Sequence, residues 1–242
     1  MQRADGRGPT DLRTLRFERG FVRSAAGSCL AQCGGTRVIC TVSIEEGVPR
    51  WMEGRPGGWL TAEYAMLPAS TDRRKPRDGR KGGRVDGRTV EIQRLVGRVL
   101  RPAAVLGQLP AITLFVDCDV LEADGGTRTT AINGAAVALE EAFAKLVEDG
   151  RIDSSLRPAA VGAVSVGVVD DVVLLDLDYP EDSRAQSDMN IVMDGDGRFL
   201  EVQASAEGRP FSKEELDASL AVAADGIRRV IAARASTAAD GA

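Results

Sequence analysis

The chain contains no histidine. That removes the commonest general base, and with it every mechanism built on a Ser-His-Asp or Cys-His arrangement. Chemistry is left to carboxylates, arginine, lysine, hydroxyls or a bound metal. Aromatic residues make up only 4% of the 242 residues, so a core must rest on Val, Leu, Ile and Ala. Lysine is also scarce: of 31 basic residues four are Lys and 27 are Arg. Such an excess of Arg suits bidentate phosphate recognition, or else reflects a GC-rich genome. No run of about 18 apolar residues is present, so no membrane span is expected. The start, Met1-Gln2-Arg3-Ala4-Asp5-Gly6-Arg7, has no apolar leader, and a cytoplasmic protein is expected. The four cysteines, Cys29, Cys33, Cys40 and Cys118, follow no zinc-finger spacing. Buried reduced thiols are expected in preference to a four-thiolate zinc site.

What is present is a strong separation of charge under a modest net of −5. From Arg73 to Arg101 there are 11 Lys/Arg against 3 Asp/Glu, a local +8. From Asp170 to Glu207 there are 11 Asp/Glu against 2 Arg, a local −9. One region can hold a polyanion and the other a metal cation.

The apolar pattern gives the layout. Residues 1–10 are polar and expected to be loose. Leu12–Phe21 alternates as a strand. Gly27–Cys33 and Thr36–Ile44 read as a hairpin through Gly34-Gly35. Gly47–Gly58 is a loop, and Trp59–Leu67 a further strand. Pro68–Arg88 is rich in Arg, Lys, Gly, Asp and Pro and is expected to be a mobile loop. It either grips a phosphate backbone or is a solvated surface loop without a partner. Val90–Arg101 is an amphipathic helix with Ile92, Leu95, Val96, Val99 and Leu100 on one face and Arg94, Arg98 and Arg101 on another. Pro102 is expected to end it. Ala111–Val120 is apolar, and Thr129–Asp149 is a helix whose small residues imply close packing. Ala160–Val168 and Val172–Leu177 form a second hairpin, followed by an acidic loop over Asp178–Asp188. Met189–Met193 and Phe199–Ala204 are strands. Ser212, with Glu215 at the capping-box position, opens a last helix to about Ala233, leaving a loose tail over 234–242. Strands followed by a helix in both halves favour an α+β arrangement with helices packed on one side.

Two stretches carry candidate chemistry. Ala123-Asp124-Gly125-Gly126-Thr127-Arg128 lies where a strand, a Gly-Gly turn and a helix start meet. Unpaired N–H groups, the positive end of the helix dipole and a forked cation suit a phosphate or another small oxyanion. The alternative is an ordinary tight turn with a surface Arg. Arg88 precedes the other long helix, where a bound anion would also feel the dipole. In the acidic region, Asp182 and Asp188 return to the same end of a sheet if the strands flanking the acidic loop pair. Two carboxylates held together suit Mg²⁺ or Mn²⁺, or one keeps a proton and acts as a general acid. A solvated acidic turn is the plain alternative.

Read together, the motifs resemble the ribonuclease PH family of phosphate-dependent exoribonucleases, which trim tRNA 3′ ends. The matching stretches are Arg3–Arg7 (RADGR), Gly58–Pro68 (GWLTAEYAMLP), Gly87–Arg98 (GRTVEIQRLVGR), Asp117–Arg128 (DCDVLEADGGTR), Leu175–Asp182 (LDLDYPED) and Asp188–Met193 (DMNIVM). They span nearly the whole chain in order. The resemblance implies one α+β domain over 1–242 with two similar strand-rich halves. It implies phosphate binding by Arg88, Gly126, Thr127 and Arg128, and catalytic, Mg²⁺-associated roles for Asp182 and Asp188. Arg73, Arg74 and Arg77 match the loop that engages tRNA. The implied partners are tRNA precursors and other RNA 3′ ends, inorganic phosphate as co-substrate, and further copies of the chain in a homohexamer, a trimer of dimers. One departure is visible: the family's Gln-Gly-Thr-Ala-Glu is here Gln203-Ala204-Ser205-Ala206-Glu207. A strand position where Ala fits is expected. Two other readings stand beside this one. An exosome-like ring subunit that binds RNA without cutting it would lack the phosphate and acidic residues that this chain keeps. A hydrolytic metallonuclease would have no use for a phosphate clamp.

Overall fold

In the computed structural model, which describes residues 3–78 and 85–236, the alternation of the first segment becomes β1 (Leu15–Arg19). The Gly34-Gly35 hairpin becomes β2 (Gly27–Cys33) and β3 (Thr36–Glu46). With β4 (Trp59–Met66) and β5 (Ile112–Glu122) these form a five-stranded sheet in the order β1-β2-β3-β5-β4. β4 and β5 are parallel, joined through helix α1 (Gly87–Ala103). The period of two sends Leu114, Val116, Cys118 and Val120 of β5 to a buried face and leaves Phe115, Asp117 and Asp119 on the other.

Helix α2 (Thr127–Glu148) is buried on almost every side, as a helix apolar all round must be. It lies against β2, β3 and β5 and also against β6 (Val161–Val169) of a second sheet. Ala131, Ala135 and Ala138 keep its surface low enough for this close approach. Asn133 ties α2 to that sheet: its Nδ2 donates to the Ala163 carbonyl at 2.9 Å, and its Oδ1 accepts from the Ala163 N–H at 2.8 Å. The second sheet adds β7 (Val172–Leu175), β8 (Ser187–Asp194) and β9 (Phe199–Ala206) in the antiparallel order β7-β6-β8-β9. Helix α4 (Lys213–Ser236) covers β6, β7 and β8. Its capping box is as expected: the Ser212 hydroxyl accepts from the Glu215 N–H at 3.2 Å, and Glu215 accepts from the Ser212 N–H at 2.7 Å. One apolar core runs through both sheets, from Phe17 to Val230. The arrangement is α+β.

Several expectations are corrected. Pro102 lies inside the last turn of α1. Its ring deletes only its own N–H, and the Ala104 N–H still reaches the Leu100 carbonyl at 3.0 Å. The acidic loop contains a short helix α3 (Tyr179–Asp182), started by a capping box between Asp178 and Glu181 with Pro180 in its first turn. β7 and β8 do not pair with each other; each pairs with β6. Residues 3–10 are fastened, since Arg3 is 3% exposed and held in a buried ion pair with Glu181. The expected tail from 234 is helical to Ser236, and Arg234 is buried in an ion pair with Glu140. In the basic loop, the Lys75 N–H donates to the Pro68 carbonyl at 2.9 Å, and the Thr89 hydroxyl donates to Asp78 at 2.7 Å. Parts of the three segments expected to be loose or mobile, residues 1–2, 79–84 and 237–242, lie outside the described residues. Ala204 sits in β9 opposite Met189, a strand position that fits Ala.

The two halves meet at Gly125. Its φ is +74°, and a Cβ there would lie 2.6 Å from the Leu177 carbonyl oxygen and 2.7 Å from the Asp178 carbonyl carbon. Neither backbone atom can swing aside as a side chain would. Gly125→Ala is expected to lower unfolding free energy by about 2 kcal/mol or more. A urea midpoint unchanged from that of the parent chain would contradict this.

Candidate active site at the seam of the two halves

Asp176 holds the two halves in register. It adopts a left-handed backbone, φ 54°, unusual for a residue with a side chain. Its carboxylate accepts from the Arg13 N–H at 2.8 Å, from Nε at 3.0 Å and from Nη2 at 2.7 Å. Its carbonyl accepts from Arg3 at 2.8 Å and from Arg7 at 2.9 Å. Burial raises the Asp176 pKa, but the Arg13 hydrogen bonds and charge outweigh it and hold the carboxyl below its ordinary value. Arg13 also donates to the carbonyls of Asp124 and Gly125. Arg3 meanwhile grips Glu181 of α3, with Nε donating to Oε1 at 2.7 Å. The Gly-Gly turn of the first half and the acidic helix of the second are thereby fastened to one another.

On this seat, Gly126 starts α2 with φ 63°, and among the described residues no side chain caps the helix. Its first N–H groups remain available to an anion. The Thr127 hydroxyl accepts from the buried Tyr64 hydroxyl at 3.0 Å. Burial pushes the Tyr64 pKa up, so Tyr64 stays neutral. Arg128 donates through Nη2 to Glu91 at 2.7 Å, and its Nη1 lies 3.9 Å from Asp188. Arg88 is exposed in the first turn of α1, its N–H donating to the Asp86 cap at 3.2 Å.

The carboxylates complete the group. Burial raises the Asp182 pKa, against the nearby charges of Arg88 and Arg128. Asp188 is pushed up to about 6 by burial first and then by the charge of Asp182. The charge of Arg128 and a 3.4 Å contact from the Asn190 amide oppose that rise. Arg88, Thr127, Arg128, Asp182 and Asp188 therefore lie near one another in the fold, with α3 rather than strand pairing bringing in Asp182.

Arg73, Arg74 and Arg77 stand apart as exposed residues of the basic loop; the charge of Arg77 is felt at Asp119 of β5. Of the three arginines on the polar face of α1, Arg94 is exposed, and Arg98 and Arg101 are engaged within the fold. Arg98 forks onto Glu201 of β9 at 2.8 and 2.6 Å. Arg101 donates to the Leu60 carbonyl at 2.9 Å and lies over the Trp59 ring at 4.6 Å. All four cysteines are free and buried. Among the described residues no three of His, Cys, Asp and Glu converge as a metal site. Two hard carboxylates beside an anion cradle do fit Mg²⁺, which binds through one or two carboxylates together with phosphate oxygens.

The family described as "3′ exoribonuclease family, domain 1" matches residues 11–144, and its "domain 2" matches residues 159–226. The chain belongs to the 3′ exoribonuclease family. Its fold is shared with Rrp46 of rice (Oryza sativa), at TM-score 0.78 and 22% identity over 97% of this chain and 99% of that one. It is shared with a chain of the Archaeoglobus fulgidus exosome with RNA bound to the active site, at 0.79 and 23% over 95% and 91%. An archaeal exosome core gives 0.76 and 22% over 95% and 90%. The ribonuclease PH-like fold is thus shown. No helix among the described residues is long and apolar enough to cross a membrane.

Reasoning from sequence passed over Tyr64, Glu91, Gln203 and the Arg3, Arg13, Asp176 and Glu181 cluster. Only α3 had a local signal, the spacing Asp178-x-x-Glu181 with Pro180 between. The others act through contacts between residues far apart in the chain.

The Asp188 shift has a consequence for stability. An unfolded aspartate ionises near 3.8, whereas the folded one ionises near 6. The folded state holds this proton more tightly. The group's contribution therefore favours folding below pH 3.8 and is lost as pH rises through about 6. In metal-free protein, Asp188→Asn is expected to match the parent chain near pH 4. By pH 7 it should exceed the parent's stability by up to about 3 kcal/mol. Urea unfolding in EDTA across that range checks this; a difference independent of pH contradicts it.

Proposed function

We propose that the chain is a phosphate-dependent 3′-to-5′ exoribonuclease. It trims the 3′ ends of tRNA precursors and other RNAs and releases nucleoside diphosphates. The observation that carries the reading is the placement of Arg128. It opens α2 at an uncapped helix start and lies 3.9 Å from Asp188. A bound oxyanion and a pair of carboxylates would then share one cation. Membership of the 3′ exoribonuclease family supports cleavage from the 3′ end. The phosphate requirement is drawn from the cradle.

In this scheme inorganic phosphate is held by Arg88, the Thr127 hydroxyl, the α2 N–H groups and Arg128. One of its oxygens attacks the last phosphodiester phosphorus in line. The bond from phosphorus to the 3′ oxygen breaks, and a carboxyl delivers a proton to that oxygen. Burial raises both Asp182 and Asp188 above the ordinary carboxylate range, which suits either of them to keep that proton. The products are a nucleoside diphosphate and an RNA shorter by one nucleotide. Because a phosphodiester is exchanged for a phosphoanhydride, the step runs in reverse as nucleotidyl transfer. Mg²⁺ would be held by Asp182 and Asp188, and when bound it neutralises charge on phosphoryl oxygens. Arg73, Arg74 and Arg77 supply sequence-independent contacts to the tRNA backbone. Six copies assemble as a trimer of dimers.

A second reading draws on the likeness to Rrp46 and exosome cores: a ring subunit that binds RNA without cutting it. One assay separates the two. The protein is incubated with Mg²⁺ and 3′-extended tRNA, with and without phosphate, and the released mononucleotide is identified. Diphosphates formed only with phosphate support phosphorolysis. Monophosphates formed without phosphate indicate hydrolysis, and no release supports the ring subunit. Arg128→Ala is expected to raise the phosphate requirement about 100-fold. Asp188→Ala should slow release about 100-fold or more with RNA binding kept. Joint replacement of Arg73, Arg74 and Arg77 by Ala should weaken tRNA binding and reduce its salt slope by about 2 to 3. An unchanged slope would remove the loop from the RNA path.

A further inference from the structure

Glu91 is a carboxylate placed where an anion site would ordinarily exclude one. It lies three residues after Arg88 on α1, so the two share a helix face. Its Oε2 accepts from Arg128 Nη2 at 2.7 Å, and its Oε1 accepts from Gln203 Nε2 at 3.1 Å. One side chain thus joins the first turns of α1 and α2 to β9 of the second sheet. The seam is tied again two helical turns later, where Arg98 forks onto Glu201. Arg98 follows Glu91 by seven residues, and Glu201 precedes Gln203 by two. Both pairs therefore keep one face of the helix against one face of the strand.

The chemistry of these groups fixes their orientation. A carboxylate only accepts, so the amide nitrogen of Gln203 must face Glu91. Arg128 has five N–H donors in a rigid plane. Glu91 engages Nη2, Nη1 lies toward Asp188, and the buried Nε is left without a partner. Glu91 therefore orients the guanidinium without using up its fork.

We propose that Glu91 is a positioning residue for phosphate. It acts through Arg128, setting that cation's orientation and binding α1, α2 and β9 into one anion-binding unit. The proposal rests on the phosphorolytic reading above. Preorganising the cation removes the ordering cost from the binding step.

The test compares the parent chain, Glu91→Ala and Glu91→Gln in steady-state phosphorolysis, with phosphate binding followed in parallel by calorimetry. Glu91→Ala is expected to raise the KM and Kd for phosphate between about 10- and 100-fold, with kcat within about threefold. Glu91→Gln keeps an acceptor for Arg128 and should fall between the two. In an Arg128→Ala background, Glu91→Ala should add less than about twofold, because the residue it orients is gone. Unchanged or tighter phosphate binding in Glu91→Ala would overturn the proposal, making Glu91 a bystander or a competitor for Arg128. Equal losses with and without Arg128 would also overturn it. The two failures are distinguishable. A parent chain that binds phosphate but releases no diphosphate refutes phosphorolysis, while its binding series still decides the role of Glu91. A parent chain that binds no phosphate refutes both.

Discussion

The pairing of Arg13 with Asp176 is the constraint on which the site depends. Both side chains are buried, and the carboxylate receives three hydrogen bonds from one residue. Two charges taken out of water cost several kcal/mol each, and only near-complete satisfaction offsets that. Here the satisfaction extends past the pair. Arg3 and Arg7 take the Asp176 carbonyl, and Arg13 takes the carbonyls of the Gly-Gly turn. Removing one partner would strand a buried charge, at a cost of about 3–5 kcal/mol. The left-handed backbone at Asp176 is sustained by the same bonds, since nothing intrinsic to aspartate favours it enough. A site made of residues from both halves requires a joint that cannot slide. This cluster provides one beside α2 and α3.

The separation of charge along the chain acquires meaning at that joint. The basic stretch supplies Arg88 at the start of α1, and the acidic stretch supplies Asp182 and Asp188. The fold sets them against each other across Arg128. Their fields are opposed by design of the layout: burial lifts both aspartate pKa values, and the arginines pull them back. Asp188 is pushed up to about 6 by burial first and then by the charge of Asp182. The absence of histidine is therefore no handicap, since a desolvated aspartate can titrate in the range a histidine usually covers.

The strands, the three long helices and the α+β class were legible in the sequence, because each rests on a local period. The alternation of Leu15 and Phe17, the Gly34-Gly35 turn and the stripe from Ile92 to Leu100 all carry their own signal. So did the candidate site residues, which cluster in short motifs. What could not be read were the partners of charges. Nothing near Arg3 in the chain announces Glu181, 178 residues away, so a polar start looked loose. The same applies to Glu91 and Gln203, whose roles exist only when α1 meets β9. The strands around the acidic loop, whose pairing was the condition for bringing the two aspartates together, do not pair for a topological reason: β6 lies between them. The two aspartates are still near enough for the charge of Asp182, carried on α3, to be felt at Asp188. Pro102 misled because a proline in the last turn of a helix deletes only one bond, and the carbonyls beyond it are ends in any case.

Overall shape alone does not show whether a chain of this fold cuts RNA. The chain superposes about as well on rice Rrp46 as on the exosome chain with RNA at its active site, TM-scores 0.78 and 0.79. At 22 and 23% identity these comparisons speak for the fold alone. The distinction has to come from side chains and from what holds them. A chain relieved of catalysis would gain stability by discarding a carboxylate whose ionisation costs free energy in the folded state, as that of Asp188 does. It would have no reason to keep an uncapped helix start beside that carboxylate. Both the raised carboxylate and the uncapped helix start are unfavourable in an inert protein and useful around an attacking oxyanion. Retaining local arrangements that work against stability is the behaviour of a functional site. Their coincidence at one seam, fastened by the Arg13–Asp176 joint, favours an active enzyme over a ring component of the same shape.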